Sequence, residues 1–187
     1  MRRLTVFNNI SLDGYFTDAR GDMSWAHKND PEWTKFSAGN AQGSDDGALL
    51  FGRKTYEMMA SYWPTAEAKK QLPEIAEGIN GLPKFVASRS LDKATWNNTT
   101  ILKGDLVDEV TRLKKGSGSR IVIMGSGTIV AQLAKHKLID EYTLIFVPIV
   151  LGRGRTLFEG LDDKVTLKRI KERAFENGNV VVTYEPQ

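Results

Sequence analysis

The sequence predicts an α/β fold, with a mostly parallel central sheet flanked by helices and closed by a C-terminal antiparallel hairpin. Three observations carry this. Short apolar runs alternate with helically spaced ones up to about residue 147. Residues 120–130, RIVIMGSGTIV, join an unbroken apolar run (Ile121, Val122, Ile123, Met124) to a Gly125-Ser126-Gly127 break and a helix carrying Ile129, Val130, Leu133 and Ala134. That run suits a strand buried on both faces of a parallel sheet. Residues 165–175 and 180–184 alternate with period two on either side of Asn177-Gly178, a hairpin signal.

Taken in order, residues 2–10 read as a first strand, ending in a turn at Asp13-Gly14. Residues 15–25 show no sustained period and are expected as a long mobile loop. Asp30-Pro31-Glu32 opens a helix, with Asp at the N-cap and Pro at the first helical position, which carries Trp33 and Phe36 and fades over 39–43. Strand 48–51 leads through Gly52-Arg53-Lys54-Thr55 into a short helix ended by Pro64. Residues 66–78 read as a polar, exposed helix broken at Pro73. Strands follow at 84–87 and 99–102, and Asp105 caps a helix over 106–115. After the Gly-Ser-Gly helix comes a strand at 142–147, then a turn-rich basic loop at 151–155.

The 187 residues suit one domain over 1–187, which buries roughly 70% of its unfolded surface. The absence of cysteine removes disulfides and thiol nucleophiles, and no metal site is expected. No apolar run approaches the roughly 20 residues that span a bilayer. The opening MRRLTVFNN has no signal-peptide apolar core, so a cytoplasmic protein is expected. The net charge of +3 is scattered and forms no nucleic-acid stripe.

Ligands of open α/β sheets sit outside the carboxyl ends of the strands, and three such ends here carry groups suited to phosphate. Gly125-Ser126-Gly127 offers backbone N–H groups at a helix start, or is simply a tight strand-to-helix turn. Gly52-Arg53-Lys54-Thr55 offers a second helix start, two cations and a hydroxyl. Ser88-Arg89 offers a hydroxyl and a guanidinium able to grip a phosphate monoester. A diphosphate plus a separate 2′-phosphate would use all three, which means NADP(H). Neither a Rossmann fingerprint, whose third glycine is replaced by Val130, nor a P-loop is present.

Ser11-Leu12-Asp13-Gly14-Tyr15, Gly52-Arg53-Lys54-Thr55-Tyr56-Glu57, Met124-Gly125-Ser126-Gly127-Thr128 and Pro148-Ile149-Val150-Leu151-Gly152-Arg153-Gly154, in that order, resemble the dihydrofolate-reductase-like superfamily. The branch they resemble is typified by the reductase domain of the bacterial bifunctional riboflavin-biosynthesis deaminase–reductase. The resemblance implies a three-layer α/β/α fold, NADPH as hydride donor and a homodimer. It implies nicotinamide near Asn9, Ile10 and Ser11, and diphosphate beyond Met124 at Gly125, Ser126, Gly127, Thr128 and Ile129. Gly52, Arg53, Lys54, Thr55, Ser88 and Arg89 would hold the 2′-phosphate side. The deaminase half needs cysteines to hold zinc, so only the reductase module is expected.

True dihydrofolate reductases place a carboxylate at the start of the first helix. Trp25 and Asp30, five apart, echo their tryptophan-to-acid spacing, which makes Asp30 the catalytic candidate against its plainer reading as an N-cap. Trp25, Asp30, Trp33 and Phe36 form the candidate substrate wall. Leu144 or Ile145 falls where those enzymes back the acid with threonine. Asp13, beside the nicotinamide end, is a second catalytic candidate. Arg153 and Arg155 are candidates for a substrate phosphate or for a solvated turn, and no role is assigned to His27 or His136. The expected activity is NADPH-dependent reduction of a pyrimidine- or pteridine-linked metabolite, as in riboflavin biosynthesis. The alternatives are a dihydrofolate reductase, and a non-catalytic nucleotide sensor on the same fold.

Overall fold

The computed structural model describes residues 1–26, 30–41 and 47–187, the side chains of 38–41 excepted. Strand β1 (Arg3–Ser11) lies inside the sheet, with Leu4 and Val6 buried on one side and Phe7 half-buried on the other. It pairs in parallel with β6 (Arg120–Met124) on one side and β7 (Glu141–Val147) on the other. Beyond β6 come β3 (Ala48–Gly52), β4 (Lys84–Ala87) and β5 (Thr99–Leu102), each parallel to its neighbour. The carboxyl ends of these six strands therefore share one rim. Beyond β7, β10 (Val180–Pro186) and then β9 (Leu167–Ala174) run antiparallel to their neighbours. The order is β5-β4-β3-β6-β1-β7-β10-β9, the dihydrofolate-reductase-like arrangement.

The two faces of the sheet are filled differently. On one, Leu4, Val6, Leu50, Ile121 and Ile123 pack against Val110 of α5 (Leu106–Lys115) and Val130 and Leu133 of α6 (Gly127–Lys135), a continuous core. Each such side chain contributes roughly 1.5–3 kcal/mol when removed from water. The other face is split into two cores. Leu49, Phe51 and Val86 pack with Tyr56 of α2 (Arg53–Tyr62) and with Ile75 and Ile79 of α4 (Pro73–Gly81). Ile145, Val147 and Val181 pack with Phe175 and with Trp33 of α1 (Pro31–Ala41). A cleft runs between the two.

The helix caps follow the sequence. The Asp105 carboxylate accepts from the amides of Val107 and Asp108 (2.9 and 3.2 Å), and Pro73 ends α3 (Ala66–Gln71) and starts α4. Four expectations need correction. The stretch expected as a long loop over 15–25 contains β2 (Tyr15–Asp18) and a 3-10 turn at Ser24–Ala26. Its partner β8 (Gly154–Thr156) starts within the expected basic loop at 151–155 and runs one residue past it, and the two form a separate ribbon. Strands of four and three residues leave no period to read, and Tyr15 meets Thr156 from the far end of the chain. The helix α4 is not exposed, because Ile75, Ala76 and Ile79 are buried, with Ile75 and Ile79, one turn apart, packed in the core beneath it. Strand β6 is fully buried only through Ile121 and Ile123, since Val122 and Met124 face the cleft. The expected fading of the first helix falls partly on 42–43, outside the described residues. Among the described residues no helix is long and apolar enough to cross a membrane.

Candidate active site

At the rim, β6 ends and the chain turns through two left-handed residues, Gly125 (φ +68°) and Ser126 (φ +61°), before α6 begins. The Gly125 amide donates to Asn8 Oδ1 (2.7 Å), and the Ser126 carbonyl accepts from the amides of Ile129 and Val130. The N–H groups of Ser126, Gly127 and Thr128 have no acceptor among the described residues. The Ser126 hydroxyl accepts from the Gly52 amide (2.8 Å) and lies 3.0 Å from Thr55 Oγ1. One oxygen thus ties together the starts of α2 and α6, neither of which has a side-chain cap. Two positive helix ends with free donors, side by side, have the chemistry that suits an anion.

The two glycines of this turn meet neighbouring protein at close range. A Cβ on Gly125 would stand 2.8 Å from the Thr55 side chain, and one on Gly127 would stand 2.6 Å from the Thr156 carbonyl oxygen. They admit neighbouring protein, packing the turn against α2 and β8. Ile129, expected at the diphosphate, is buried in the core with its amide already donated.

The ends of β3 and β4 meet through Arg53, whose guanidinium donates to Ser90 Oγ (2.9 Å) and sits 3.4 Å from Glu57. Lys54 and Arg89 are exposed beside it, and the Ser88 hydroxyl accepts from the Leu91 amide. Lys103, just past β5, reaches the Arg89 carbonyl (3.3 Å) and adds a cation that sequence reading missed. Its signal was its place one residue after an apolar strand.

At the end of β1, the buried Ser11 hydroxyl donates to Asp13 Oδ1 (2.6 Å) and accepts from the Tyr15 amide (2.9 Å). Asp13 also accepts from the amides of Leu151 and Gly152, stapling this turn to the loop after β7. The Ser11 hydroxyl, helped by the Gly152 and Leu151 amides, holds the Asp13 carboxyl below its ordinary value. Asp13 is therefore a fixed anion, ill suited to donate a proton. Ile10 is buried in the core. Two buried amide atoms nearby, Asn8 Nδ2 and Asn9 Oδ1, have no partner among the described residues.

The cleft has a volume of about 1230 Å³. Phe7, Val122, Met124 and Thr143 form its floor; Met58, Met59, Tyr62 and Trp63 line one wall, and Trp33 and Phe36 the other. Of the expected substrate wall, Trp33 and Phe36 line it, whereas Trp25 and Asp30 do not. Asp30 Oδ1 accepts from the Trp33 amide (2.6 Å), and its carbonyl takes the Thr34 amide and hydroxyl, so the side chain serves as the N-cap of α1. Trp25 donates to the Asp22 carbonyl (3.1 Å) and packs on the core under α1. Thr143, not Leu144 or Ile145, lines the cleft from β7, its hydroxyl 3.3 Å from that of Thr183. Strand alternation sends Leu144 to the opposite core. Arg153 and Arg155 are exposed and do not line the cleft. His136 is exposed at the C-terminus of α6, and His27 lies outside the described residues.

Sequence reading also missed Met58, Met59, Tyr62 and Trp63. Their spacing one turn apart just after Arg53-Lys54-Thr55 was the available signal.

The chain is 27% identical over 185 residues to the uncharacterized protein YyaP of Bacillus subtilis (strain 168), covering 98% of this chain and 94% of that one. It resembles the crystal structure of a protein from Shewanella sp. PV-4 whose name places it in riboflavin biosynthesis (TM-score 0.76, 26% identity, 99% of each chain). It shares its fold with a dihydrofolate reductase from Enterococcus faecalis, solved with NADP(H) and RAB-propyl (TM-score 0.65, 15% identity, 99% of this chain and 96% of that one). Residues 2–181 match the family model of the RibD C-terminal domain, and the chain belongs to that family.

Proposed function

We propose that this chain is an NADPH-dependent reductase of the riboflavin-biosynthesis type, acting on a pyrimidine- or pteridine-linked small metabolite. Family membership supports a reductase-type role. The observation that carries the coenzyme is the pair of helix starts joined through Ser126 Oγ, with the amides of Ser126, Gly127 and Thr128 free to donate. Those amides would hold the diphosphate. Arg53, Lys54 and Arg89, with Ser88, would hold the 2′-phosphate, for which exposed cations at neighbouring strand ends are the matching chemistry. The unpartnered Asn8 Nδ2 and Asn9 Oδ1 supply one donor and one acceptor at the nicotinamide end. When bound, the coenzyme would supply the hydride and the acceptor would take up the accompanying proton from solvent; the protein's part is to hold and orient the two.

The cap role of Asp30 favours this reading over a dihydrofolate reductase, which needs its carboxylate in the cleft. A homodimer belongs to the same proposal. The exposed Leu12 and Val150, on rim loops joined by the Leu12 amide and the Ile149 carbonyl, support it.

Thermal unfolding with coenzyme tests the reading. At 100 times Kd, NADPH should stabilise the chain by about 2.7 kcal/mol, a Tm rise of roughly 5–10 °C. NADH should do far less, and the double variant Arg53→Ala/Arg89→Ala should erase the difference. Equal shifts from both coenzymes in the unmodified chain would remove the 2′-phosphate argument.

A further inference from the structure

Asn-Gly occurs twice in the chain, at Asn80-Gly81 and Asn177-Gly178. The pair is chemically labile, because glycine has no Cβ to keep its nitrogen away from the preceding side-chain carbon. That nitrogen can close a five-membered ring on the asparagine Cγ. Sequence alone ranks the two pairs equally, and their surroundings in the fold separate them.

Asn80 is held at both ends of its side-chain amide. Its Nδ2 donates to the Trp63 carbonyl (2.8 Å), and its Oδ1 accepts from Trp96 Nε1 (2.6 Å). Its backbone carbonyl accepts from the buried Lys84 ammonium (2.9 Å), and the residue lies in the last turn of α4. Turning this amide toward Gly81 would break two tertiary hydrogen bonds and strand their partners.

Among the described residues, Asn177 is held only within its own turn. Its Oδ1 accepts from the Asn179 amide two residues on (2.9 Å), and its Nδ2 has no partner. The turn closes with the Gly178 amide on the Phe175 carbonyl (3.0 Å) and the Phe175 amide on the Asn179 carbonyl (2.9 Å). Gly178 is exposed at the tip, with φ at +88°. Opening one hydrogen bond frees the reacting nitrogen, at a hairpin tip where local opening costs least.

We propose that Asn177 is a site of spontaneous deamidation and that Asn80 is spared. The Gly178 nitrogen loses its proton to solvent and bonds to Asn177 Cγ. The Cγ–Nδ2 bond breaks, and that nitrogen leaves as ammonia with a proton from solvent. Water then opens the cyclic imide at either carbonyl, giving aspartate or isoaspartate. The net change is the gain of one water and the loss of one ammonia. Isoaspartate carries an extra methylene in the main chain, so the two hydrogen bonds that close the turn cannot both form. Phe175 belongs to that turn and packs on Trp33 and Phe36, which line the cleft. Isoaspartate at 177 therefore loosens the support of that cleft wall. None of this depends on the reductase reading.

The test is peptide mapping by mass spectrometry of the full chain, aged at neutral and alkaline pH, both folded and in urea. In the folded chain Asn177 should convert faster than Asn80 by about tenfold or more, because the hydrogen bonds holding Asn80 must break first. Conversion should speed up at alkaline pH, where the glycine nitrogen loses its proton more readily. In urea the two should convert at similar rates, since both precede glycine. Equal rates in the folded chain, or no conversion at Asn177 while both react in urea, overturns the proposal. Deamidated protein collected by ion exchange contains both products and should unfold at a lower temperature than the Asn177→Asp variant, which keeps an oxygen for the Asn179 amide. The same Tm for both would overturn the link to the cleft wall.

Discussion

Lys84 has no solvent exposure and, among the described residues, no carboxylate beside it; its ammonium donates to the carbonyls of Asn80 (2.9 Å) and Leu82 (2.7 Å) and sits 4.6 Å from the centre of the Trp96 ring. Those carbonyls belong to the end of α4, where a cation is favoured. Burial nevertheless pushes its pKa down to about 8. Its ordinary value is 10.5, so between these values the unfolded chain binds the extra proton and the folded chain does not. Stability from this group must then rise with pH across that window. Urea unfolding of the wild type and of Lys84→Met should show the wild type gaining relative to the variant between pH 7.5 and 10; parallel curves would contradict this. Nothing in Leu82-Pro83-Lys84 announces a buried cation, because a strand-initial lysine ordinarily reaches water.

At the scale of elements, what was legible was local chemistry. Asp30-Pro31 and Asp105 state where helices start, because caps act within one turn. The apolar run of β6 and the Asn177-Gly178 turn are equally local. The β2–β8 ribbon was not legible, since its partners are far apart in sequence and too short for a period. The cleft wall on α2 was missed for a related reason: a Met or Tyr at helical spacing reads as core until the facing core is seen to stop short. The capping role of Asp30 can be checked directly. Asn caps about as well as Asp, so Asp30→Asn should hold turnover within a few-fold of wild type, while Asp30→Ala should cost about 1 kcal/mol of stability. A hundredfold loss of kcat in the Asn variant, with unchanged Tm, would restore a catalytic carboxylate.

At the scale of the molecule, one sheet face is sealed and the other is divided, and the division is the candidate site. The phosphate-side rim and the cleft meet at Asn9 and Gly125, so a long ligand along the rim and a flat one in the cleft can touch end to face. The edge strand β9 presents Lys168, Arg169, Lys171 and Arg173 to solvent, which discourages pairing with another sheet edge. Association is therefore expected through the rim loops that expose Leu12 and Val150, not by joining sheets. Light scattering should give twice the 20.9 kDa chain mass, and Leu12→Lys/Val150→Lys should return it to that of one chain. A single-chain mass for the unmodified protein would end the dimer proposal.

Gly127 touches the Thr156 carbonyl so closely that a methyl group has no room there. The small ribbon is consequently the backstop of the turn proposed to hold the diphosphate: pushing it outward would tilt the first turn of α6 and swing its free amides off target. Loop changes on the far side of that ribbon should thus alter coenzyme affinity while leaving every cleft residue in place.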